Sequence, residues 1–207
     1  MRKLILSMHM SLDGFVEGPA KDMSWMQPDD DEQWKELFAM LNNVDLFLLG
    51  RGMWKEYRNY WTKAVAEPGF SNNEVRYAKL AAKTPHIIFS KSLQKTGWPN
   101  ASIAGGNLYK TVRKLKQQPG KDIQIVGGAK FAAALIDSGL IDEYRMSIDP
   151  VILAKGKSIF SKLLNRHGLK MIALKKLHNG VVISRYTQLD TRDTMKVSPK
   201  KRRGNGS

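Results

Sequence analysis

The chain has 207 residues, 42% of them hydrophobic, four histidines and no cysteine. That length suggests one domain with one substantial core, and the missing thiols exclude disulfides, thiolate zinc sites, iron–sulfur clusters and a cysteine nucleophile together. The formal net charge of +15 favours anionic partners, but a dinucleotide phosphate gains as much from such a field as a nucleic acid does, so charge alone does not choose between them.

The start, Met1 to Leu6, resembles the opening of a secretory signal, yet Ser7, His9 and Asp13 break the apolar run and no small-residue cleavage site follows. No stretch approaches the roughly 20 apolar residues of a membrane span, so a soluble, cytoplasmic protein is expected. Lys3 to Met10 predicts a strand, stopped by the turn residues of Ser11-Leu12-Asp13-Gly14. Trp34, Leu37, Phe38 and Leu41 then recur at i, i+3, i+4 and i+7, one helix face, behind the acids Asp29 to Glu32 that suit a helix N-terminus.

Asp45 to Leu49 is nearly all apolar and ends in Gly50-Arg51-Gly52, the composition of a parallel strand buried on both faces. His86 to Phe89 and Ile123 to Val126 read as further strands, with helical spacing at Leu108, Val112 and Leu115 and at Phe131 and Leu135. From Ile141 the pattern turns to strands alone. There Asn179-Gly180 separates Met171–Leu174 from Val181–Ser184 as a hairpin turn, so the sheet should end antiparallel. The domain is expected over residues 1–190, followed by a basic, disordered tail over 191–207.

Three strand ends carry possible ligand chemistry, because the crevice of a parallel sheet lies beyond its carboxyl edge. Gly50-Arg51-Gly52-Met53 combines backbone N–H groups at a helix start with a guanidinium fork, and Val126-Gly127-Gly128-Ala129-Lys130 repeats that logic. Phe89-Ser90-Lys91-Ser92 joins two hydroxyls to an ammonium, a set suited to a phosphate monoester. Each also reads as a plain turn or a polar loop, and neither glycine motif is a G-x-G-x-x-G fingerprint. Trp54, Tyr57 and Trp61 form a core-facing helix stripe, and the four histidines lack metal-ligand spacing, so no metal is expected.

Taken in order, these motifs resemble the dihydrofolate-reductase-like family, in the branch related to the reductase half of the bifunctional riboflavin-biosynthesis deaminase-reductase. The matching pieces are Ser11 to Gly14, Asp45 to Arg51, Phe89 to Ser92, Ile125 to Gly128, Leu140 to Tyr144 and Pro150 to Phe160, spanning about residues 2–189. The resemblance implies a three-layer α-β-α fold, a mostly parallel central sheet with an antiparallel C-terminal hairpin, and NADPH lying across the carboxyl edge. It implies that Gly50, Arg51 and Met53 meet the phosphates. Ser90 and Lys91 would meet the adenosine 2′-phosphate, while Val126, Gly127, Gly128, Ala129 and Lys130 would approach the pyrophosphate and nicotinamide. Met53 stands where the family often has threonine, and Leu153-Ala154-Lys155-Gly156 replaces its usual L-G-x-G turn.

On the substrate side Trp25 to Asp30 resembles the stretch whose carboxylate holds the pterin, which makes Asp30 the candidate catalytic residue; equally, Asp30 starts a helix. Trp54 to Thr62 does not match the family's ribose-phosphate stretch, so the riboflavin-pathway pyrimidine is doubtful as substrate. The expected activity is reduction of a small pterin-like or pyrimidine-like heterocycle by NADPH in a homodimer. The alternatives are a paralogue reducing an unrelated carbonyl or imine, and a basic nucleic-acid-binding protein, for which no reading motif appears.

Overall fold

The computed structural model describes residues 1–26, 30–161 and 163–189. The expected 191–207 tail lies outside them. In chain order the elements are β1 (Leu4–Ser11), β2 (Phe15–Glu17), α1 (Asp31–Leu41), β3 (Val44–Gly50), α2 (Arg51–Ala66), α3 (Asn72–Lys83), β4 (His86–Phe89) and β5 (Ala101–Ala104). They continue with α4 (Leu108–Gln117), β6 (Asp122–Gly127), α5 (Ala129–Asp137), β7 (Glu143–Asp149), β8 (Lys157–Ser158), β9 (Leu169–Lys176) and β10 (Val182–Gln188).

Eight strands form one sheet in the order β5-β4-β3-β6-β1-β7-β10-β9. Pairing is parallel from β5 through β7 and antiparallel in β7-β10-β9, as the apolar runs and the Asn179-Gly180 turn predict. In β3, Leu46 to Leu49 are all buried because both faces of this strand are covered. One face packs on α4 and α5 through Leu4, Leu6, Leu48, Val112, Ile125, Ala132 and Leu135. The other packs on α1, α2 and α3 through Ile5, Phe38, Phe47, Leu49, Trp54, Tyr57 and Tyr77. The result is the expected three-layer α/β/α arrangement. Trp54 and Tyr57 lie in the core, as their helical spacing indicates.

β5 and α3 fall outside the sequence expectations. α3 begins with a capping box, in which Ser71 Oγ accepts from Glu74 N and Glu74 accepts from Ser71 N. Ser71-x-x-Glu74 was the signal available for it. β5 is only Ala101-Ser102-Ile103-Ala104, too short and too mixed to carry a period.

The sheet is not continuous along its whole length. β1 pairs with β6 only over Leu4–Leu6 and Ile123–Ile125, whereas its pairing with β7 runs on to Ser11 and Asp149. The strands therefore part beyond Leu6, with Ser7–Ser11 on one side and Val126–Gly128 on the other. This split opens at the carboxyl edge, where the strand order reverses between β1 and β3 and a ligand crevice belongs.

Candidate functional site

Register brings the three sequence-predicted loops side by side. Gly50 pairs with Phe89 and Leu49 with Gly127, so the loops after β3, β4 and β6 leave the same edge on adjacent strands. Gly50 is the N-cap of α2 and Gly128 the N-cap of α5, and neither helix start has a side-chain cap. The first-turn N–H groups of Arg51 to Met53 and of Ala129 to Phe131 thus lack a side-chain acceptor, which is the arrangement that binds anions at helix N-termini. Gly128 has φ +96°, and its Cα faces the Gly50 backbone, where a Cβ would lie 3.7 Å from Gly50 N. Only glycine takes this conformation without strain, and it brings the two helix starts together.

Three cations follow the strands at this edge. Arg51, Lys91 and Lys130 are exposed, and among the described residues none of the three has an ion-pair partner. The other expected contacts divide between backbone and packing roles. Met53 turns inward, so that a Cβ on Gly127 would clash with its Sδ; it offers the edge a backbone N–H but no hydroxyl in threonine's place. Val126 and Ala129 pack their side chains on the two cores. Ser90 Oγ accepts from Ser92 N at 3.1 Å and Leu93 N at 2.9 Å, so it shapes its own loop while its hydrogen remains available to donate.

A fourth loop was missed from the sequence. Ala104 pairs with Phe89, which sets Gly105-Gly106-Asn107 beside Ser90, and nothing approaches the open face of Gly106. Asn107 caps α4 by accepting from Lys110 N at 2.9 Å. The signal was a glycine pair and a capping Asn directly before the Leu108, Val112, Leu115 periodicity.

Across the split, the Ser11 to Gly14 loop is fixed by its own acid. Asp13 accepts from Ser11 Oγ at 2.6 Å, from Leu153 N at 3.1 Å and from Ala154 N at 2.8 Å. The Ser11 hydroxyl foremost, with these backbone donors working against desolvation, holds the Asp13 carboxyl below its usual range. The 153–156 turn is thereby clamped onto β1 despite its departure from L-G-x-G. Behind it, His9 Nδ1 lies 3.0 Å from Asp149 Oδ2, with Asp149 fully buried.

Asp30 is the N-cap of α1. One oxygen accepts from Gln33 N at 2.9 Å and the other lies 2.9 Å from His178 Nε2 at the β9–β10 turn. His178 Nδ1 meets Glu32, which Lys175 also contacts; Lys175 and then His178 hold Glu32 at a pKa of about 2.

The comparisons agree with this architecture. The chain matches the family described as the RibD C-terminal domain over residues 2–183, and it belongs to that family. It is 33% identical to YyaP of Bacillus subtilis (strain 168), an uncharacterized protein, over 87% of this chain and 92% of that one. Among solved structures it resembles the Thermotoga maritima diaminohydroxyphosphoribosylaminopyrimidine deaminase/5-amino-6-(5-phosphoribosylamino)uracil reductase (TM-score 0.67, 16% identity), covering 91% of this chain and 57% of the longer one. Dihydrofolate reductase from Enterococcus faecalis, complexed with NADP(H), superposes with a TM-score of 0.57 at 11% identity, covering 91% and 97% of the two chains. The fold is dihydrofolate-reductase-like. Among the described residues no group of acids and histidines could hold a metal, and no helix is long and apolar enough to cross a membrane.

Proposed function

We propose that this protein is an NADPH-dependent reductase of a small heterocyclic compound, pterin-like or pyrimidine-like. The observation that carries the reading is the carboxyl edge itself, where two uncapped glycine helix starts adjoin and three exposed cations lie without acidic partners. Family membership and the NADP(H) complex of the Enterococcus faecalis enzyme support the same cofactor.

In this proposal the N–H groups following Gly50 and Gly128 donate to the pyrophosphate oxygens, and Arg51 and Lys130 balance its charge. Ser90 and Lys91 take the 2′-phosphate, and the open glycines leave room for backbone approach. The bound cofactor supplies a hydride; the chain supplies orientation, a field of the right sign and a cleft between β1 and β6. Asp30 enters as the substrate-side carboxylate.

Lys91→Glu tests the cofactor. A charge-assisted hydrogen bond contributes about 1.5–3 kcal/mol, so NADPH should weaken roughly tenfold to a hundredfold while NADH changes little. Calorimetric titration of both cofactors into wild type and variant measures it. Equal loss for both, or loss for neither, removes Ser90 and Lys91 from the site. Turnover of dihydrofolate, dihydropteridines and the riboflavin-pathway pyrimidine, followed by NADPH absorbance, then selects the substrate class.

A further inference from the structure

Adding a hydride to a C=N or C=O bond leaves a negative heteroatom that needs a proton, so the reductase reading raises the question of which group delivers it. We propose that His9 is this proton donor, through Nε2, and that Asp149 is the positioning residue behind it. The inference rests on the reductase reading above.

Placement comes first. His9 lies midway along Ser7–Ser11, the part of β1 that has left β6 and borders the split opposite Val126–Gly128. Strand alternation puts Ser7, His9 and Ser11 on one face, with Arg145, Ser147 and Asp149 of β7 beside them, while Met8 and Met10 pack into the apolar core. The charged groups on this face are Asp149 and, further back, Arg145, which is tied to Glu143 at 2.7 Å. Glu143 is 2% exposed; burial would raise its carboxyl pKa, but Arg145 and Arg185 together lower it.

Chemistry follows from the pairing. An ionised carboxylate only accepts, so Asp149 Oδ2 at 3.0 Å requires the hydrogen on His9 Nδ1. That orientation leaves Nε2 without a partner among the described residues, on a side chain 38% exposed. Asp149, fully buried, thereby fixes the tilt of the ring and keeps Nδ1 occupied. Of the other acids, Asp13 holds the backbone N–H groups of Leu153 and Ala154, and Asp30 caps α1 at Gln33 and meets His178.

The step balances. As the carbon of the reducible bond accepts hydride from the reduced nicotinamide, its nitrogen or oxygen takes the proton from His9 Nε2. The substrate gains two electrons and two hydrogens, and His9 becomes neutral with Nδ1–H still on Asp149. Solvent reprotonates Nε2 from the open side.

Nitrogen-resolved NMR of the imidazoles in the full-length protein tests this, alongside calorimetric titration with NADP⁺. Above the pH at which the ring loses its proton, wild type should show the Nδ1–H tautomer at His9, Asp149→Asn should give mixed tautomers, and NADP⁺ should shift the His9 ring signals while leaving those of His167 in place. If NADP⁺ does not bind, the cofactor reading fails and takes this assignment with it. If it binds and the His9 signals do not move, or if Asp149→Asn leaves the His9 ring form unchanged, the His9 assignment alone is overturned. With the substrate that the NADPH screen selects, His9→Gln should lower kcat by about 10²–10⁴-fold with the KM for NADPH unchanged, the usual range for general acids. Wild-type kcat in that variant would refute the assignment.

Discussion

His86 begins β4 at 1% exposure, enclosed by the rings of Phe47, Trp54, Tyr57 and Trp98. Its Nδ1 donates to Thr84 O at 2.7 Å, which leaves Nε2 as an acceptor, 3.2 Å from the Tyr57 hydroxyl. Tyr57 lies 3.2 Å from the Tyr77 hydroxyl, so the chain of donation runs Tyr77 to Tyr57 to His86. Burial keeps both phenols protonated, pushing Tyr77 up to about 12 and Tyr57 well above its ordinary value. Burial also lowers the His86 pKa from 6.5 to about 4, because the core disfavours the imidazolium more than the Thr84 carbonyl favours it. The unfolded chain therefore takes up this proton first. Stability is fully present above the unfolded pKa and is lost as pH falls toward the folded one, by about 3 kcal/mol at pH 4. His86→Phe keeps the ring packing and removes the titration. It should cost about 1–3 kcal/mol at neutral pH by leaving Tyr57 without its acceptor, then lose about 3 kcal/mol less than wild type between pH 7 and pH 4. Denaturant unfolding of both proteins at several pH values measures the difference, and parallel pH curves would refute the reasoning.

The remaining predictions concern the site and the assembly. Asp30→Asn keeps an acceptor for Gln33 N and should barely change stability, whereas Asp30→Ala should cost about 1 kcal/mol by chemical denaturation. If Asp30 also holds the substrate ring, Asp30→Asn should lower turnover at saturating NADPH with cofactor binding unchanged; equal turnover would leave Asp30 as a helix cap alone. The edge strand β9 exposes Met171, Ile172 and Leu174 at 44–62%, a surface suited to the expected homodimer. Ile172→Lys should shift light-scattering mass toward the monomer, and a wild-type monomer at micromolar concentration would contradict the assembly.

Much of the fold is legible in the sequence because burial on both faces leaves a plain mark. Leu46 to Leu49 announce a central strand, and Asn179-Gly180 announces a hairpin between two apolar runs. The three loops at the carboxyl edge are legible as glycines after strands, but their adjacency is not, since it depends on the register Leu49–Gly127 and Gly50–Phe89. The two meanings of Asp30 cannot be separated by composition, because a helix cap and a substrate carboxylate call for the same residue type. Its contacts with Gln33 N and His178 emerge only when the β9–β10 turn is folded against α1. His9 and Asp149 are far apart in the chain, and each alone resembles any half-buried polar residue. The partial pairing of β1 with β6 is likewise a property of three dimensions.

The bare glycine starts of α2 and α5 link ligand binding to global stability. An anion seated on their free N–H groups would act as a removable cap for both helices, and would be held by the native state alone. At a hundred times its dissociation constant, such a ligand adds about 2.7 kcal/mol, worth about 5–10 °C of melting temperature for a chain of this size. Heat resistance thus becomes a selective detector for whatever the carboxyl edge recognises, and it can rank phosphorylated compounds before any reaction is known.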